Sequence, residues 1–430
     1  MTKGNSGLKI FRKMSSKVNN YLDENTNFFQ HGSFDVVFAC LVLILFTFGI
    51  IMMYSASYAY SAYYEGNPNA IFFDQLVTSS IGFVFMIIIS KLDYRILNGR
   101  LAPAAFVITV IVMLVTILIS KIKGSETGRW LDLGFMSIQP SEFAKLTMII
   151  VLAYLMTALR AGLRAPKGKK CAYHPDLDGF SEIEKKIFSK TRTPFWCCAL
   201  IATVIVVYCF LIVLQKHLSA TILVFLMGYF MLMLSGTKNE YFIGVAIAVA
   251  VVVAVVLIYP DFAEGVGFGA SRIKVWLDKD NPAYVDLRRQ TVNGLYAIGS
   301  GGLLGVGFGQ SKQKQLYIPE LHNDFVFPVV CEELGFIGAA AVVILFALLI
   351  YRGFKIAKEC NDYFGSLLVM GIMIQIGLQV IINLAVVTDL FPNTGMVLPF
   401  FSSGGSSIIS ILMEMGLVLS VSRRSSIEKE

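Results

Sequence analysis

Apolar runs of about the length of a membrane-spanning helix recur along the whole chain, and they constrain its fold more than any other feature. A helix needs roughly 20 mainly apolar residues to cross the hydrocarbon core of a bilayer. Ten runs are close to that length: 36–56, 72–90, 102–120, 139–159, 194–214, 217–235, 241–259, 324–350, 364–388 and 395–421. Hydrophobic residues make up 56% of the 430 residues and charged residues only 15%, so the segments between the runs cannot build a soluble core. The sequence predicts an all-α, polytopic membrane protein with about ten transmembrane helices.

The uneven distribution of lysine and arginine between the runs predicts how the chain is oriented. Short cytoplasmic segments of membrane proteins are enriched in both residues. Basic residues concentrate in the tail 1–35, after the second, fourth and eighth runs, and in the tail 422–430, and ten spans bring all these segments to one side. We therefore predict cytoplasmic termini, a membrane domain over 36–421, a cytoplasmic loop over 160–193, and a long extracytoplasmic loop over 260–323 between the seventh and eighth spans.

One short outer segment, 121–140, departs from this charge pattern, because it contains Lys121, Lys123 and Arg129. A basic, partly apolar segment can lie at the membrane interface and meet anionic headgroups. Lysine side chains can also extend from a helix end to the interface without any further role. The sequence leaves both interpretations open.

Ionisable residues at membrane depth are costly, so each of them is a candidate functional residue. The motif "QPSEFAK" begins the fourth run, and its Pro140 and Ser141 favour the start of a helix. Glu142 and Lys145 are three residues apart, so they share a helical face and can form an ion pair. We expect this pair to face the bundle interior or a hydrated cavity. A purely structural ion pair that joins two helices is the alternative interpretation.

Acidic residues also mark the start of the eighth run, in the stretch "PELHNDFVFPVVCEELGF". Asp324 is expected at the outer surface, in the first turn of the helix, where the helix dipole alone would favour an aspartate. Glu332 is expected about 12 Å deeper, since a helix rises about 1.5 Å per residue. Either Glu332 or Glu333 is expected to face inward and to be paired or protonated.

Two further stretches are unusual beside apolar runs. The segment 393–407, "NTGMVLPFFSSGGSS", breaks the helical pattern, and such a break at membrane depth must line a cavity or pack within protein. The Gly-rich part of 260–323 lacks the Gly-Lys-Ser/Thr that closes a nucleotide-binding loop. Basic residues of this segment are expected near the outer headgroups, where cations can hold a pyrophosphate. They are Arg272, Lys274, Arg288, Arg289, Lys312 and Lys314.

Three blocks of this sequence resemble the shape, elongation, division and sporulation (SEDS) family, which includes FtsW, RodA and SpoVE. The blocks are "GRWLDLGFMSIQPSEFAKL", "AIGSGGLLGVGFGQSKQKQLYIPELHNDFVFPVVCEELGFIG" and "NTGMVLPFFSSGGSS". Their order, spacing and joint presence carry the resemblance, which extends from the first span to the last. The chain departs from the usual family pattern at His217, Pro328, Asp389 and Ser403. The family commonly has Asp, Ala, Gly and Tyr at these positions.

This resemblance implies a glycosyltransferase that polymerises lipid II into peptidoglycan strands at the outer face of the bacterial cytoplasmic membrane. It implies that the GlcNAc 4-hydroxyl attacks the anomeric carbon of MurNAc with inversion and that undecaprenyl pyrophosphate leaves. The implied partners are lipid II, the undecaprenyl-pyrophosphate-linked glycan strand and a class B penicillin-binding protein that crosslinks the strands. A flippase for the lipid-linked precursor and a non-catalytic scaffold for the penicillin-binding protein are the alternatives.

The resemblance also implies which residues form the site. The essential aspartate of the family corresponds to Asp324, the predicted general base, and Glu142 and Lys145 form the supporting catalytic pair. Glu332 and Glu333 correspond to a Glu-Glu pair of the family and are predicted as supporting residues. The residues predicted to bind the substrate are Arg272, Lys274, Arg289, Gln290, Lys312, His322, Ser402, Ser406 and Ser407. Lys145, the loop arginines or a divalent cation, Mg²⁺ or Mn²⁺, are expected to balance the charge of the pyrophosphate.

Overall fold

The computed structural model describes residues 32–99, 101–123, 128–132, 134, 137–163, 194–236, 243–246 and 270–427, which form a helical bundle. The helices are α1 (Val36–Tyr64), α2 (Ala70–Lys91), α3 (Leu101–Ile122), α4 (Pro140–Ala158), α5 (Arg160–Leu163), α6 (Pro194–Leu214), α7 (Leu218–Leu234), α8 (Ala270–Leu277), α9 (Val285–Ser300), α10 (Leu321–Asp324), α11 (Val326–Glu359), α12 (Tyr363–Val387) and α13 (Gly405–Ile427). Two short 3₁₀ helices cover Tyr94–Leu97 and Pro282–Tyr284. Strands β1 (Leu131–Asp132) and β2 (Ser137–Ile138) pair antiparallel, with Leu131 opposite Ile138.

Helices long and apolar enough to cross a membrane dominate the described residues. There are eight of these, namely α1 to α4, α6 and α11 to α13, with mean hydropathies between 1.4 and 3.0. The apolar helix α7 is shorter, with 17 residues. The predicted all-α membrane fold is therefore confirmed. The seventh predicted span, 241–259, lies outside the described residues apart from the helical residues 243–246, and so does most of the predicted loop 160–193.

The structure corrects the bounds of three predicted spans. Helix α1 continues beyond residue 56 to Tyr64, and α11 continues beyond residue 350 to Glu359. The tenth span was predicted to begin at residue 395, but α13 begins at Gly405. The preceding segment is apolar because it is packed inside the bundle, where Phe400 and Phe401 are buried in irregular backbone. Composition alone cannot distinguish such a buried segment from the first turns of a helix.

Helices α4 and α13 form the centre of the bundle. The apolar windows of these two helices are 78% and 89% buried, whereas those of α2 and α3 are 22% and 28% buried. The exposed apolar surface of the peripheral helices is therefore available to lipid. Polar side chains on α4 and α13 are correspondingly enclosed by protein, where they require partners.

The two ends of the bundle are distinguished by contacts between distant parts of the chain. At one end Asp35 accepts from the Phe38 N–H at 2.8 Å, which caps α1, and pairs with Arg352 at 2.6 Å. At the other end the Tyr60 hydroxyl donates to Glu320 at 2.8 Å, four residues before Asp324. We call these the Asp35 end and the Asp324 end.

Helix α11 is broken at Gly335, which has a φ of 66°. The backbone of the loop 302–307 fills the break, because the Val306 N–H donates to the Glu332 carbonyl at 2.9 Å and the Phe336 N–H donates to the Gly302 carbonyl at 2.9 Å. A Cβ at residue 335 would lie 2.3 Å from the backbone nitrogen of Gly305. Glycine is therefore required here by both the positive φ and the close approach.

Candidate active site

A cavity of about 430 Å³ opens at the Asp324 end of the bundle. Helices α4, α7 and α13 begin beside it, and α10 ends in it. Although these membrane helices are mainly apolar, the cavity wall is rich in polar groups. The polar and aromatic residues that line it are Arg129, Trp130, Gln139, Glu142, Lys145, His217, Arg272, Gln290, Glu320, Asn323, Asp324, Asn393, Ser403, Ser406 and Ser407.

Asp324 ends α10 and lines the cavity with 9% of its surface exposed. The Gln290 side-chain amide donates to its Oδ1 at 3.2 Å, and Asn393 donates to Gln290 Oε1 at 2.7 Å. The backbone carbonyl of Asp324 accepts from Asn383 Nδ2 at 2.9 Å. Contacts from α9, α12 and the segment before α13 therefore fix both the backbone and the carboxyl.

The environment of Asp324 favours its protonated form at neutral pH more than water would. Burial raises its pKa to about 7, because a carboxylate in the cavity wall lacks much of the water that stabilises its charge. The backbone N–H of Asp324, Arg272 and Gln290 act in the opposite direction and lower the pKa. A carboxyl group with a pKa near neutrality is well matched to proton transfer at neutral pH.

Glu142 and Lys145 form a buried ion pair on α4. The Lys145 Nζ lies 2.8 Å from the Glu142 Oε2, and the side chains are 2% and 7% exposed, respectively. Both residues also line the cavity. The pair thus borders the same space as Asp324, and the charge of each residue compensates the other in a region where a lone charge would be costly.

Arg129 and Arg272 supply positive charge to the cavity, and neither forms an ion pair with a carboxylate of the described residues. Arg129 donates to the backbone carbonyls of Gln215 and Lys216, and Arg272 donates to the Asn393 carbonyl at 3.1 Å. Burial and then the charge of Arg272 lower the pKa of Arg129. Two guanidinium groups held by neutral acceptors are suited to bind a phosphate group, because their planar donors match its oxygens.

Asp389 fixes the helix that carries Arg272. Its carbonyl accepts from the Trp276 indole at 3.1 Å, which attaches α8 to the segment after α12. Its carboxylate pairs with Arg288 at 2.9 Å and with Lys279 at 2.7 Å. Arg288 therefore has a structural partner, and its expected position near the outer headgroups stays a prediction.

The structure separates the predicted substrate-binding residues into two groups. Those that line the cavity are Arg272, Gln290, Ser406 and Ser407. Those that do not line it are Lys274, Arg289, Lys312, His322 and Ser402. Local sequence spacing could not separate the groups, because the cavity is formed by helix ends that are distant in the chain.

The residues outside the cavity lining have other positions. His322 is buried, its ring packs on Tyr60 with centroids 4.6 Å apart, and its carbonyl accepts from the Ser403 N–H at 2.7 Å. The Ser402 hydroxyl accepts from the Leu398 N–H at 2.8 Å. Arg289 and Lys312 are exposed, and Lys274 lies on α8. His322 and Ser402 thus hold the segments behind the wall rather than face the cavity.

Glu332 and Glu333 are both buried, but neither lines the cavity. Glu333 pairs with Lys314 at 2.9 Å and accepts from the Ser55 hydroxyl at 2.8 Å. Glu332 accepts from the Ser311 hydroxyl and from the Lys312 N–H at 3.0 Å. The expectation that Lys314 lies near the headgroups is wrong, because this lysine is the buried partner of Glu333. The two glutamates anchor the loop that fills the break in α11.

Several cavity residues were not among the predicted site residues. They are Arg129, Trp130, Gln139, His217, Glu320, Asn323, Asn393 and Ser403. The sequence did contain one signal for Arg129, because it is a basic residue in a short outer segment that departs from the charge pattern. The structure places Arg129 in the cavity wall.

The described residues contain no group of three or more His, Cys, Asp and Glu side chains arranged to hold a metal ion. In the cavity Glu142 is paired with Lys145, and Asp324 accepts from the Gln290 amide. A cation held by protein alone needs several oxygen ligands together. The described side chains do not fit such a site, and the Mg²⁺ or Mn²⁺ suggested by the sequence stays a prediction.

Comparison with known sequences places the chain in a family. The family model of the cell cycle proteins FtsW, RodA and SpoVE matches residues 35–427. The chain belongs to this family. Stage V sporulation protein E of Bacillus subtilis is 34% identical to this SEDS protein over 397 residues, covering 91% of this chain and 97% of the relative. A Trichlorobacter lovleyi protein named probable peptidoglycan glycosyltransferase FtsW is 30% identical over 399 residues, which cover 92% of this chain and 94% of the relative.

Solved structures share the fold of this SEDS chain. A chain from a peptidoglycan synthase complex, described as coordinating polymerization and crosslinking, has a TM-score of 0.69 at 24% identity. The alignment covers 91% of this chain and 98% of that one. The rod shape determining protein RodA of Thermus thermophilus has a TM-score of 0.60 at 24% identity, and the alignment covers 91% of this chain and 97% of RodA. These similarities establish the common architecture of the bundle.

Proposed function

We propose that this chain is a peptidoglycan glycosyltransferase that polymerises lipid II with inversion at the anomeric carbon. The observation that carries the proposal is one cavity lined by the carboxyl of Asp324 and by the cations Arg129 and Arg272. Transfer of a diphosphate-linked sugar needs a base for the attacking hydroxyl and positive charge for the leaving pyrophosphate. Relatives named probable peptidoglycan glycosyltransferases support this activity.

The proposed reaction is a single displacement. The 4-hydroxyl of the acceptor GlcNAc gives its proton to Asp324 while its oxygen attacks the anomeric carbon of the donor MurNAc. The bond from that carbon to the pyrophosphate oxygen breaks, and its electron pair leaves with undecaprenyl pyrophosphate. The carbon inverts from α to β without a covalent enzyme intermediate. Arg129 and Arg272 stabilise the charge that develops on the pyrophosphate, and the Glu142–Lys145 pair shapes the cavity beside it.

We propose that the Asp324 end faces the outside of the bacterial cytoplasmic membrane. Basic residues mark the opposite Asp35 end, where Arg352 lies near the end of α11 and Arg423 near the end of α13. Positive charge favours the cytoplasmic side. Both termini are then cytoplasmic, and the loop 260–323 is extracytoplasmic.

A class B penicillin-binding protein is the proposed partner, which would crosslink the strands that this chain makes. The similarity in fold to a chain of a peptidoglycan synthase complex supports this pairing. The proposed ligands are lipid II and the undecaprenyl-pyrophosphate-linked strand. Their charged headgroups fit a polar cavity at the end of an apolar bundle, because the prenyl tails can remain among lipid.

Synthesis of glycan strands by purified full-length protein tests the proposal directly. Lipid II in detergent is incubated with the protein, with and without a co-purified class B penicillin-binding protein, and strand lengths are measured on gels. A parallel reaction contains a chelator and then added Mg²⁺ or Mn²⁺, which tests the predicted cation. Reconstituted vesicles measure flipping of the same lipid. Flipping without strand synthesis would favour the flippase, and neither activity with intact partner binding would favour the scaffold.

The rate of the wild-type protein is expected to rise with pH through about 7. The pKa of Asp324 is raised to about 7, mainly by burial, so its proton-accepting form is the minor one below this pH and the major one above it. Initial rates of strand synthesis measured between pH 5.5 and about 8.5 at saturating lipid II check this. A rate that is constant across this range would contradict Asp324 as the base.

Arg129→Gln and Arg272→Gln are each expected to raise the KM for lipid II about tenfold or more, because each removes charged hydrogen bonds worth roughly 1.5–3 kcal/mol. The matched control is Arg289→Gln, since Arg289 is an exposed arginine that does not line the cavity. Initial rates measured over a range of lipid II concentrations give the KM of all three variants. An equal effect of Arg289→Gln would indicate general attraction of an anionic lipid instead of a defined site.

A further inference from the structure

His217 lines the cavity immediately before α7, but the reaction described above gives it no role. Its Nδ1 lies 3.2 Å from the Gln139 side-chain nitrogen and 3.4 Å from the Ser141 hydroxyl. Both partners belong to the start of α4. The other ring nitrogen, Nε2, has no partner among the described residues. The imidazole is therefore held by one nitrogen while the other remains available to a ligand in the cavity.

The partners of Nδ1 determine which nitrogen carries the proton. The side-chain nitrogen of Gln139 can only donate a hydrogen bond, and the Ser141 hydroxyl can also donate. In the orientation that the Gln139 amide adopts, Nδ1 of His217 accepts its hydrogen bond, so the proton of the neutral ring is on Nε2. His217 thus offers an N–H donor to the cavity.

The charges that surround the ring favour its neutral form. Burial, followed by the charge of Arg129, lowers the pKa of His217 to about 4. Lys145 and Arg272 act in the same direction, and only Glu142 among these charged groups opposes them. At neutral pH the ring donates a hydrogen bond without adding another positive charge to a region that already contains three cations.

We propose that the Nε2–H of His217 donates a hydrogen bond to an anionic oxygen of the bound ligand, beside Arg129 and Arg272. The inference rests on the proposed function, because it takes the ligand to be a pyrophosphate-linked sugar. The arginines supply positive charge and planar donors that match phosphate oxygens. The neutral donor on a held ring adds one more directed hydrogen bond, which helps to select one orientation of the phosphate oxygens.

Two isosteric substitutions distinguish this role from simple packing. The side-chain nitrogen of glutamine can reach the position of Nε2, whereas that of asparagine reaches only the position of Nδ1. Variants His217→Gln, His217→Asn and His217→Ala of the full-length protein are compared by initial rates at varied lipid II. We expect the Asn and Ala variants to raise KM about tenfold, with a smaller change in kcat, because a hydrogen bond to a charged group is lost. We expect the Gln variant to stay within about threefold of wild type.

A second measurement uses inorganic pyrophosphate and does not depend on catalysis. Pyrophosphate should raise the thermal midpoint of the wild type and of His217→Gln, and should raise that of His217→Asn much less. Midpoints without pyrophosphate show whether each variant is folded.

The outcomes separate this inference from the proposed function. Strand synthesis by the wild type with the same KM in all three variants overturns the role of His217 and leaves the function intact. A larger loss in the Gln variant than in the Asn variant also overturns it. If the wild type makes no strands, the proposed function fails and pyrophosphate decides the role of His217. In that case, the proposed role of His217 is overturned if pyrophosphate shifts the thermal midpoints of the wild type and all variants equally, or shifts none of them.

Discussion

Asp324→Asn is expected to lower the rate of lipid II polymerisation by about 10²- to 10⁴-fold, the usual contribution of a general base. Asparagine has the same size and can still accept the hydrogen bond that Gln290 donates, but it cannot take a proton from the acceptor sugar. The KM for lipid II should change little, because the cations that hold the pyrophosphate remain. Initial rates of strand synthesis by purified protein, measured at saturating lipid II, check this expectation.

The stability of the variant provides the folding control. The pKa of Asp324 is raised by burial, so this carboxyl stabilises the folded state below its unfolded pKa, and that contribution is lost as the pH rises through about 7. At a pH above 8 the neutral asparagine should therefore cost no stability. Asp286→Asn is the matched substitution, since Asp286 is an exposed carboxylate on α9 outside the cavity lining. A rate of Asp324→Asn within threefold of that control would exclude Asp324 as the base.

Lys145→Met is expected to destabilise the protein by roughly 3–5 kcal/mol, because it leaves the buried carboxylate of Glu142 without its partner. The double substitution Glu142→Gln with Lys145→Met removes both charges and should recover most of that loss. Unfolding midpoints of the wild type and both variants in the same detergent give the comparison. Equal midpoints in the wild type and the single variant would show that Glu142 has another partner.

Activity of the double variant separates the two interpretations of the Glu142–Lys145 pair that the sequence left open. A structural pair requires only that the bundle be intact, so a stable double variant would polymerise lipid II normally. We expect instead a loss of at least about tenfold at restored stability, because the pair borders the cavity and contributes to its electrostatic field. The double variant allows this comparison because it recovers the stability of the protein but still lacks the two charges beside the cavity.

The sequence predicted most of the membrane fold because span length is a local property. Every residue of an apolar run contributes to crossing the bilayer, so helices such as α3 and α6 appear within one or two residues of their predicted bounds. The same reasoning failed before α13. Buried residues such as Phe400 and Phe401 are apolar whether their backbone is helical or irregular.

Part of the candidate site was also readable from the sequence. Asp324 stands out as an acidic residue at the start of an apolar run, and Glu142 and Lys145 lie three residues apart on one helix. Their pairing needs only helical geometry. These three residues share one cavity because α4 packs near α10. Neither motif alone predicts this packing.

What the sequence by itself determined was the all-α membrane fold, the family and the acidic residues beside apolar runs, because each depends on composition or on the order of residues along the chain. Only the tertiary structure decided which charges meet. In the folded bundle, Arg129 and His217 line the cavity, and Glu333 forms a buried ion pair with Lys314. The physical reason is that a charge at membrane depth is stable only beside an opposite charge, a hydrogen-bond partner or water. The partners lie on helix ends that are distant in sequence, so they come together only when the bundle packs.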